Sequence, residues 1–334
     1  MLLFSLFNTE VSSKTILFAV FGVIIVVFML LDLGVFNKKA HKISTKTALY
    51  QSIFWVLVST VFGFFIYKGG PYELEVDGVI TVTSGADAII EYFSAYLTEY
   101  ALSVDNIFVI LLILKYFTVK EEYYHKVLFW GIIGAVFFRG IFIFVGAYLI
   151  AQAHWILYIF GVFLIYSGIK IYFEESDEKI DPEKNPIMRL CRRFLPISKD
   201  EKGGQFLIRE NGKLFFTPLF LVVVLIETTD LIFAVDSIPA AFAITQNEFL
   251  IYTSNIFAVL GLRAMFFLLS GIIDKFYLLQ KGLSVILFFI GAKMLLEIIH
   301  FEIPVMLSFV VIIATLTLSI VFSMLVPKKE KITE

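Results

Sequence analysis

Apolar residues along this chain come in long continuous runs, and polar residues gather between the runs. Nine such stretches fall at about 15–36, 47–67, 88–114, 127–150, 155–173, 214–238, 249–272, 283–299 and 303–326. A run of about 20 apolar residues is what a helix needs to cross the hydrocarbon layer of a bilayer. Barrel strands would alternate apolar and polar positions instead, and a helix satisfies its own backbone groups in lipid. The pattern predicts an all-α polytopic membrane protein with about nine transmembrane helices. The first run lacks a small-residue cleavage site and is followed by Lys38, Lys39 and Lys42, which describes a retained signal-anchor helix.

Charges break the pattern at a few places inside the runs. The stretch Ile226–Pro239 reads IETTDLIFAVDSIP and puts Glu227, Asp230 and Asp236 in an otherwise apolar segment. Facing lipid, three such charges would cost about 8–10 kcal/mol, so they must face protein, water or an ion. The pattern recurs in EYALSVDN: Glu99 matches Asp230, Asp105 matches Asp236, and Asn106 matches Ser237. Downstream, Phe138-Arg139-Gly140 matches Leu262-Arg263-Ala264, and Gly168-Ile169-Lys170 matches Gly291-Ala292-Lys293. Residues 87–173 and 214–299 therefore read as two copies of a three-span unit. Because three is odd, the second copy enters from the opposite side, and the repeats are inverted, as in many secondary transporters. Around them lie residues 1–86 (two spans and an acidic loop), a 174–213 linker, and 300–334 (a last span and a basic tail).

Composition agrees: 59% of the 334 residues are hydrophobic and 17% charged, against about 45–50% and 25% in soluble domains. The single cysteine, Cys191, can form no intrachain disulfide. The sequence shows no nucleic-acid patch, Gly-rich phosphate loop, zinc-type His/Cys cluster or nucleophile elbow. The expectation is a protein that is not an enzyme, holds no permanent cofactor and binds no nucleic acid. Of 27 Lys and Arg, Lys14 and Lys68 fall on one side and Arg139, Lys170, Arg263 and Lys293 within spans, leaving 21 on the other side. The positive-inside rule then puts the N-terminus outside and the C-terminus in the cytoplasm. The external segment Gly69–Glu91 reads as a solvated acidic loop with Glu73, Glu75, Asp77 and Asp87. In the cytoplasmic linker, Asn211-Gly212 between apolar residues predicts a hairpin before the sixth span.

Glu99 and Asp105 are six residues apart and would not share a face of a regular helix, whereas Glu99 aligns with Asn106 and Asp230 with Ser237. Joining all of them requires a local break, which Pro239 favours in the sixth span, or apposition across the repeat interface. Lys170 and Lys293 lie near span ends, where they can snorkel to an interface, and Glu297 is a local partner for Lys293. Glu99, Asp105, Glu227, Asp230 and Asp236 then face only Arg139 and Arg263, a negative surplus that a divalent cation would offset. Oxygen ligands suit Mg, Ca or Mn, and His41, His125, His154 and His300 all fall outside the spans or at their ends. Asp32 reads as an interfacial charge. A purely structural salt-bridge network and a metal-free proton relay are the competing readings. Arg139 and Arg263 cannot ligate a cation and read as counter-charges to the empty site, with protons as a further counter-ion.

The stretches EYALSVDN, LIETTDLIFAVDSIP, TSNIFAVLGLR and Gly291–Lys293 together resemble the TerC family of membrane proteins, in particular its Alx-type members, over most of the chain. The resemblance implies a bacterial inner-membrane protein with inverted three-helix repeats, associated with manganese export, tellurite resistance and a response to alkaline pH. It implies that Glu99, Asp105, Asp230 and Asp236, with Asn106 and Ser237, line the metal path. The expected function is export of a divalent cation, manganese by the resemblance, through alternating access. The alternative is a scaffold that binds the ion and loads it onto partner proteins.

Overall fold

The computed structural model describes residues 13–31, 45–70, 72–76, 79–153, 155–173, 186–198, 204–210, 213–270, 278–299, 301 and 303–325. The elements, in order, are α1 (Ser13–Leu31), α2 (Thr45–Gly69), β1 (Tyr72–Val76), β2 (Val79–Thr83), α3 (Gly85–Tyr116), α4 (Glu121–Gln152), α5 (Ile156–Phe173), α6 (Pro186–Phe194), β3 (Leu207–Glu210), β4 (Lys213–Phe216), α7 (Pro218–Ile244), α8 (Glu248–Leu269), α9 (Leu279–Leu296), a 3-10 turn (Glu297–Ile299) and α10 (Val305–Leu325). The chain divides into two units, residues 1–41 and 42–334. The first contributes α1, whose described apolar stretch is Leu17–Leu30; Asp32, Lys38, Lys39, His41 and Lys42 lie outside the described residues. The second unit carries all the other elements.

Among the described residues, seven helices are long and apolar enough to cross a membrane: α2, α4, α5, α7, α8, α9 and α10. At 32 residues, α3 occupies the third apolar run. Outward faces carry bare apolar side chains such as Leu57, Phe65, Phe137, Tyr148, Ile159 and Val321, the surface a helix presents to lipid. The opposite case is α8, buried from Phe249 to Phe266 except at Tyr252, as expected of a helix apolar all round.

Short-range signals set the ends. Ser84 caps α3 by accepting from the Asp87 N–H at 3.1 Å, and Asn247 caps α8 by accepting from Phe249 and Leu250 N–H. Pro218 opens α7, where its missing N–H costs no bond. The linker hairpin is present, with β3 pairing antiparallel to β4 from Leu207↔Phe216 to Glu210↔Lys213; residues 211 and 212 lie outside the described residues.

Three expectations need correction. The acidic segment Gly69–Glu91, expected as a loop, is a second hairpin, β1 against β2, followed by the first turns of α3. Asp77-Gly78 between alternating residues was its signal. The Tyr72 hydroxyl donates to the Ile66 carbonyl at 2.9 Å, tying this hairpin to α2, and burial pushes the phenol up to about 12. That tie is complete below the ordinary tyrosine range and is lost as pH rises through about 12. The sixth span does not break: α7 runs through Pro239 to Ile244. Proline removes one backbone bond, but the helix there is buried with Ile238, Ala240 and Ala241 around it, and lipid offers backbone groups no alternative partner. Lys293 does not snorkel out; it is buried on α9.

Packing inside the second unit follows a simple scheme. Helix α3 lies against α2, α7 and α8; α4 lies against α7 and α8; α5 lies against α9; and α10 covers α9 and α3. The α5–α9 crossing is closest, because glycines remove the side chains that would hold the backbones apart. A Cβ at Gly291 would lie 2.6 Å from the Gly161 carbonyl oxygen, and one at Gly168 would lie 2.7 Å from that of Ser284. Backbone atoms cannot yield as a flexible side chain can. Gly168→Val should therefore cost about 1–3 kcal/mol, the usual range for overpacking, and lower the unfolding temperature in detergent. Gly131→Ala, whose Cβ would meet only the Ile226 Cγ2 at 3.4 Å, should leave it nearly unchanged.

Candidate functional site

Two apolar clusters sit along the helices, one including Ile143, Leu164, Ala234, Ile251 and Leu287, the other Leu128, Val222, Ile226, Leu262 and Phe266. On α4, α7 and α8, Arg139, Glu227, Asp230 and Asn255 fall between these clusters. Arg139 follows Leu128 and precedes Ile143; Glu227 and Asp230 lie between Ile226 and Ala234; Asn255 lies between Ile251 and Leu262. The apolar layers on either side fix the depth of the polar one.

Arg139 is the centre of it. The side chain is fully buried, and its guanidinium reaches three helices. Nη1 donates to Glu99 Oε1 on α3 and to Asn255 Oδ1 on α8 at 3.0 Å. Nη2 and Nε grip the two carboxylate oxygens of Asp230 on α7, at 3.0 and 3.3 Å. This planar, two-pronged grip is available to arginine and not to lysine. Asn255 closes the ring by donating from Nδ2 to Glu99 Oε2 at 2.9 Å. Asn106 Nδ2 donates to Asp230 Oδ1 at 3.3 Å, and Ser103 donates to Glu99 at 3.4 Å. Four helices are joined by one ionised network.

Of the residues expected from the sequence, the fold brings together Glu99, Asn106, Asp230 and Arg139. Glu227 stands one helical turn before Asp230. Its carboxylate occupies the space left by Gly134 of α4, where a Cβ would lie 2.1 Å from the carboxyl atoms. Asp236 is engaged elsewhere, accepting from Ser167 of α5 at 2.9 Å, with Lys170 within electrostatic reach. Asp105 lies on α3, but its side chain is outside the described residues. Arg263 is buried on α8, and Lys170 is exposed on α5. Lys293 lies within electrostatic reach of Glu91, an α3 residue that the sequence placed in the external loop. Asn255, Ser167 and Gly134 were also missed. Asn255 had a signal, a polar residue inside an apolar run; Ser167 and Gly134 had none, because their importance comes from what lies opposite them.

Three of the expected ligands carry a buried oxygen with no hydrogen-bond partner: Asn106 Oδ1, Glu227 Oε2 and Ser237 Oγ. Asn106 and Ser237 are each only 3% exposed. Unmet acceptors at this depth are costly. Among the described residues, no three His, Cys, Asp or Glu side chains converge as a metal-binding group. Two of the carboxylates are held by Arg139 instead.

Gly134→Ala separates position from stability. The clash falls on the mobile end of Glu227, so the fold should be kept or stabilised by up to about 1 kcal/mol through alanine's helix propensity. Glu227 should be displaced. Melting in detergent that is unchanged or slightly raised is the expected result, and a function that uses the Glu227 carboxyl should be weakened.

Residues 84–331 match the "Integral membrane protein TerC family". The chain is 42% identical over 311 residues to "Uncharacterized membrane protein STKORF319" of Myxococcus xanthus, covering 92% of each. It is 41% identical over 307 residues to a membrane protein of Rickettsia bellii, covering 92% of this chain and 96% of that one. It is also 41% identical over 304 residues to "Putative membrane-bound redox modulator Alx" of Salmonella typhi, covering 91% and 92%. No solved structure matches the chain. With the family's residues matched across α3 to α10 and bacterial relatives aligned over nearly the whole length, this chain belongs to the TerC family of integral membrane proteins.

Proposed function

We propose that the protein exports a divalent metal cation, manganese above others, across the bacterial inner membrane by alternating access of two inverted repeats, α3–α5 and α7–α9. The observation that carries this reading is the set of unmet oxygens on Asn106, Glu227 and Ser237. Acceptors without donors, beside carboxylates, are the chemistry of a hard cation. The charge balance supports it. Arg139 offsets only one of the two carboxylates it holds, and Glu227, one turn from Asp230, adds a further acid to the site.

Exchange between the repeats is supported by the α5–α9 contact. Under the sequence match, Gly161 corresponds to Ser284 and Gly168 to Gly291. The Gly161–Gly291 approach therefore has its counterpart in the Gly168–Ser284 approach. Likewise α3 packs on α8 as α4 packs on α7. An antiparallel arrangement of this kind gives two related states of similar energy, which alternating access needs.

In this reading Arg139 is the counter-charge of the empty carrier. The cation takes Asp230 or Glu99 from it on binding, and the guanidinium takes the carboxylate back when the ion leaves. The word "redox" in the name of the Salmonella typhi relative finds little chemistry here, since one cysteine cannot cycle within the chain.

The test is manganese flux into liposomes containing only the purified protein. Time-dependent uptake that stops with Glu227→Gln is the expected result. Saturable binding without flux would replace transport by the metal-loading scaffold.

A further inference from the structure

The segment between the repeats is a small folded module. Residues after α6 run beside the hairpin: Ser198 N–H donates to the Phe216 carbonyl at 2.8 Å, and Phe216 N–H to that of Pro196 at 2.9 Å. Lys126 of α4 donates to the Gly204 carbonyl at 2.6 Å and lies 4.8 Å from the centre of the Phe206 ring. Helix α6 packs on α7. Cys191 and Ile197 join the apolar cluster that includes Leu219 and Leu221 at the start of that span. The module is thus held at the level where α7 leaves the membrane.

Its outer face is unusual for a water-facing surface. On α6, Leu190 is 56% and Phe194 69% exposed, and each follows an exposed arginine, Arg189 and Arg193. The Arg193 guanidinium lies 5.7 Å from the centre of the Phe194 ring. The hairpin repeats the pairing: exposed Arg209 stands opposite exposed Leu214 across the ladder, and Leu207 lies two residues away on the same face. Ile208 between them is buried. Among the described side chains of the module, Arg189, Arg193, Arg209 and Lys213 are the charged ones, all basic.

We propose that this face lies in the headgroup layer of the bilayer and recognises anionic phospholipid. Leucine and phenylalanine on the rim of a span enter the acyl boundary, while arginines beside them meet phosphates, the division of labour of an interfacial amphipathic helix. The Lys and Arg distribution assigns this side to the cytoplasm, whose leaflet carries anionic lipid. Fixed to α4 and α7, the module couples lipid composition to the helices that hold Arg139 and Asp230.

The experiment uses the full-length protein with Cys191→Ser and a single environment-sensitive fluorophore on Phe194→Cys, or on Leu190→Cys as a second position. It is reconstituted in phosphatidylcholine alone or with about one third phosphatidylglycerol. With phosphatidylglycerol, the emission should shift to the blue, be quenched by a nitroxide carried near the lipid headgroup, and become protected from aqueous iodide. Arg189→Gln with Arg193→Gln should weaken the phosphatidylglycerol dependence about 25-fold, since each basic residue near an anionic surface contributes on the order of fivefold. Equal iodide quenching in both lipids, with no effect of the lipid nitroxide at either position, would overturn the proposal. So would protection that follows protein concentration instead of lipid charge, which would mark a contact between copies of the chain.

Discussion

Replacing Arg139 by methionine is expected to destabilise the folded protein by about 3–5 kcal/mol, the usual loss when one partner of a buried ion pair is removed. Methionine keeps the volume and removes every donor. Glu99 and Asp230 would then be left ionised or forced to protonate, because Arg139 supplies two of the three bonds that reach Asp230 and holds Glu99 from the other side. Asn255, which accepts from Arg139 and donates to Glu99, would lose its orientation too. Thermal unfolding in detergent, followed by loss of the monodisperse peak, is the measurement. Adding Glu99→Gln and Asp230→Asn to Arg139→Met should restore most of the loss, since the cost comes from charges left alone and not from the missing guanidinium. A single variant that melts like the wild type would show that the network does not bear on stability, and with it the role of Arg139 as the counter-charge would fall.

Asp236→Asn should have the opposite profile, with folding kept and transport abolished. The asparagine carbonyl can still accept from Ser167, which now donates to Asp236 at 2.9 Å, so the tie between α7 and α5 survives. Only the charge is lost. If Asp236 lies on the ion path, manganese uptake by proteoliposomes should fall to the level of empty vesicles while the melting temperature stays put. Asp105→Asn, its counterpart in the first repeat, should behave alike. Uptake at the wild-type rate by correctly inserted Asp236→Asn would remove this carboxylate from the path and leave Glu227 as the acid to examine.

The two substitutions divide the carboxylates by environment. Asp230 and Glu99 are satisfied by a buried cation of the protein itself, whereas Glu227 keeps an unmet oxygen and Asp236 is bonded by a neutral hydroxyl. A carrier needs both kinds. Groups already neutralised keep the empty site intact, and groups left wanting give an incoming ion its advantage.

Much of this was readable in the sequence, because bilayer thickness and backbone chemistry leave few options to a chain with such long apolar runs. Among the described residues, seven helices long and apolar enough to cross a membrane stand where the runs predicted spans, the linker hairpin pairs Leu207–Glu210 with Lys213–Phe216, and the acids that break the apolar pattern include the ones that meet at the centre. Local rules could have gone further: Asp77-Gly78 announced the β1–β2 hairpin as plainly as Asn211-Gly212 announced the other. What periodicity could not supply was the identity of partners from different helices. That Arg139 takes both Glu99 and Asp230, that Asn255 bridges it to Glu99, that Gly134 makes room for Glu227, and that Lys293 is buried instead of reaching an interface all depend on how α3, α4, α7, α8 and α9 are packed. Pro239 makes the same point: alone it marks a break, yet α7 continues through it to Ile244, since lipid offers backbone groups no alternative partner. The sequence determines which groups cannot face lipid; only the packed structure decides which group each of them meets, because burial forces every charge to find a partner but leaves the choice to geometry.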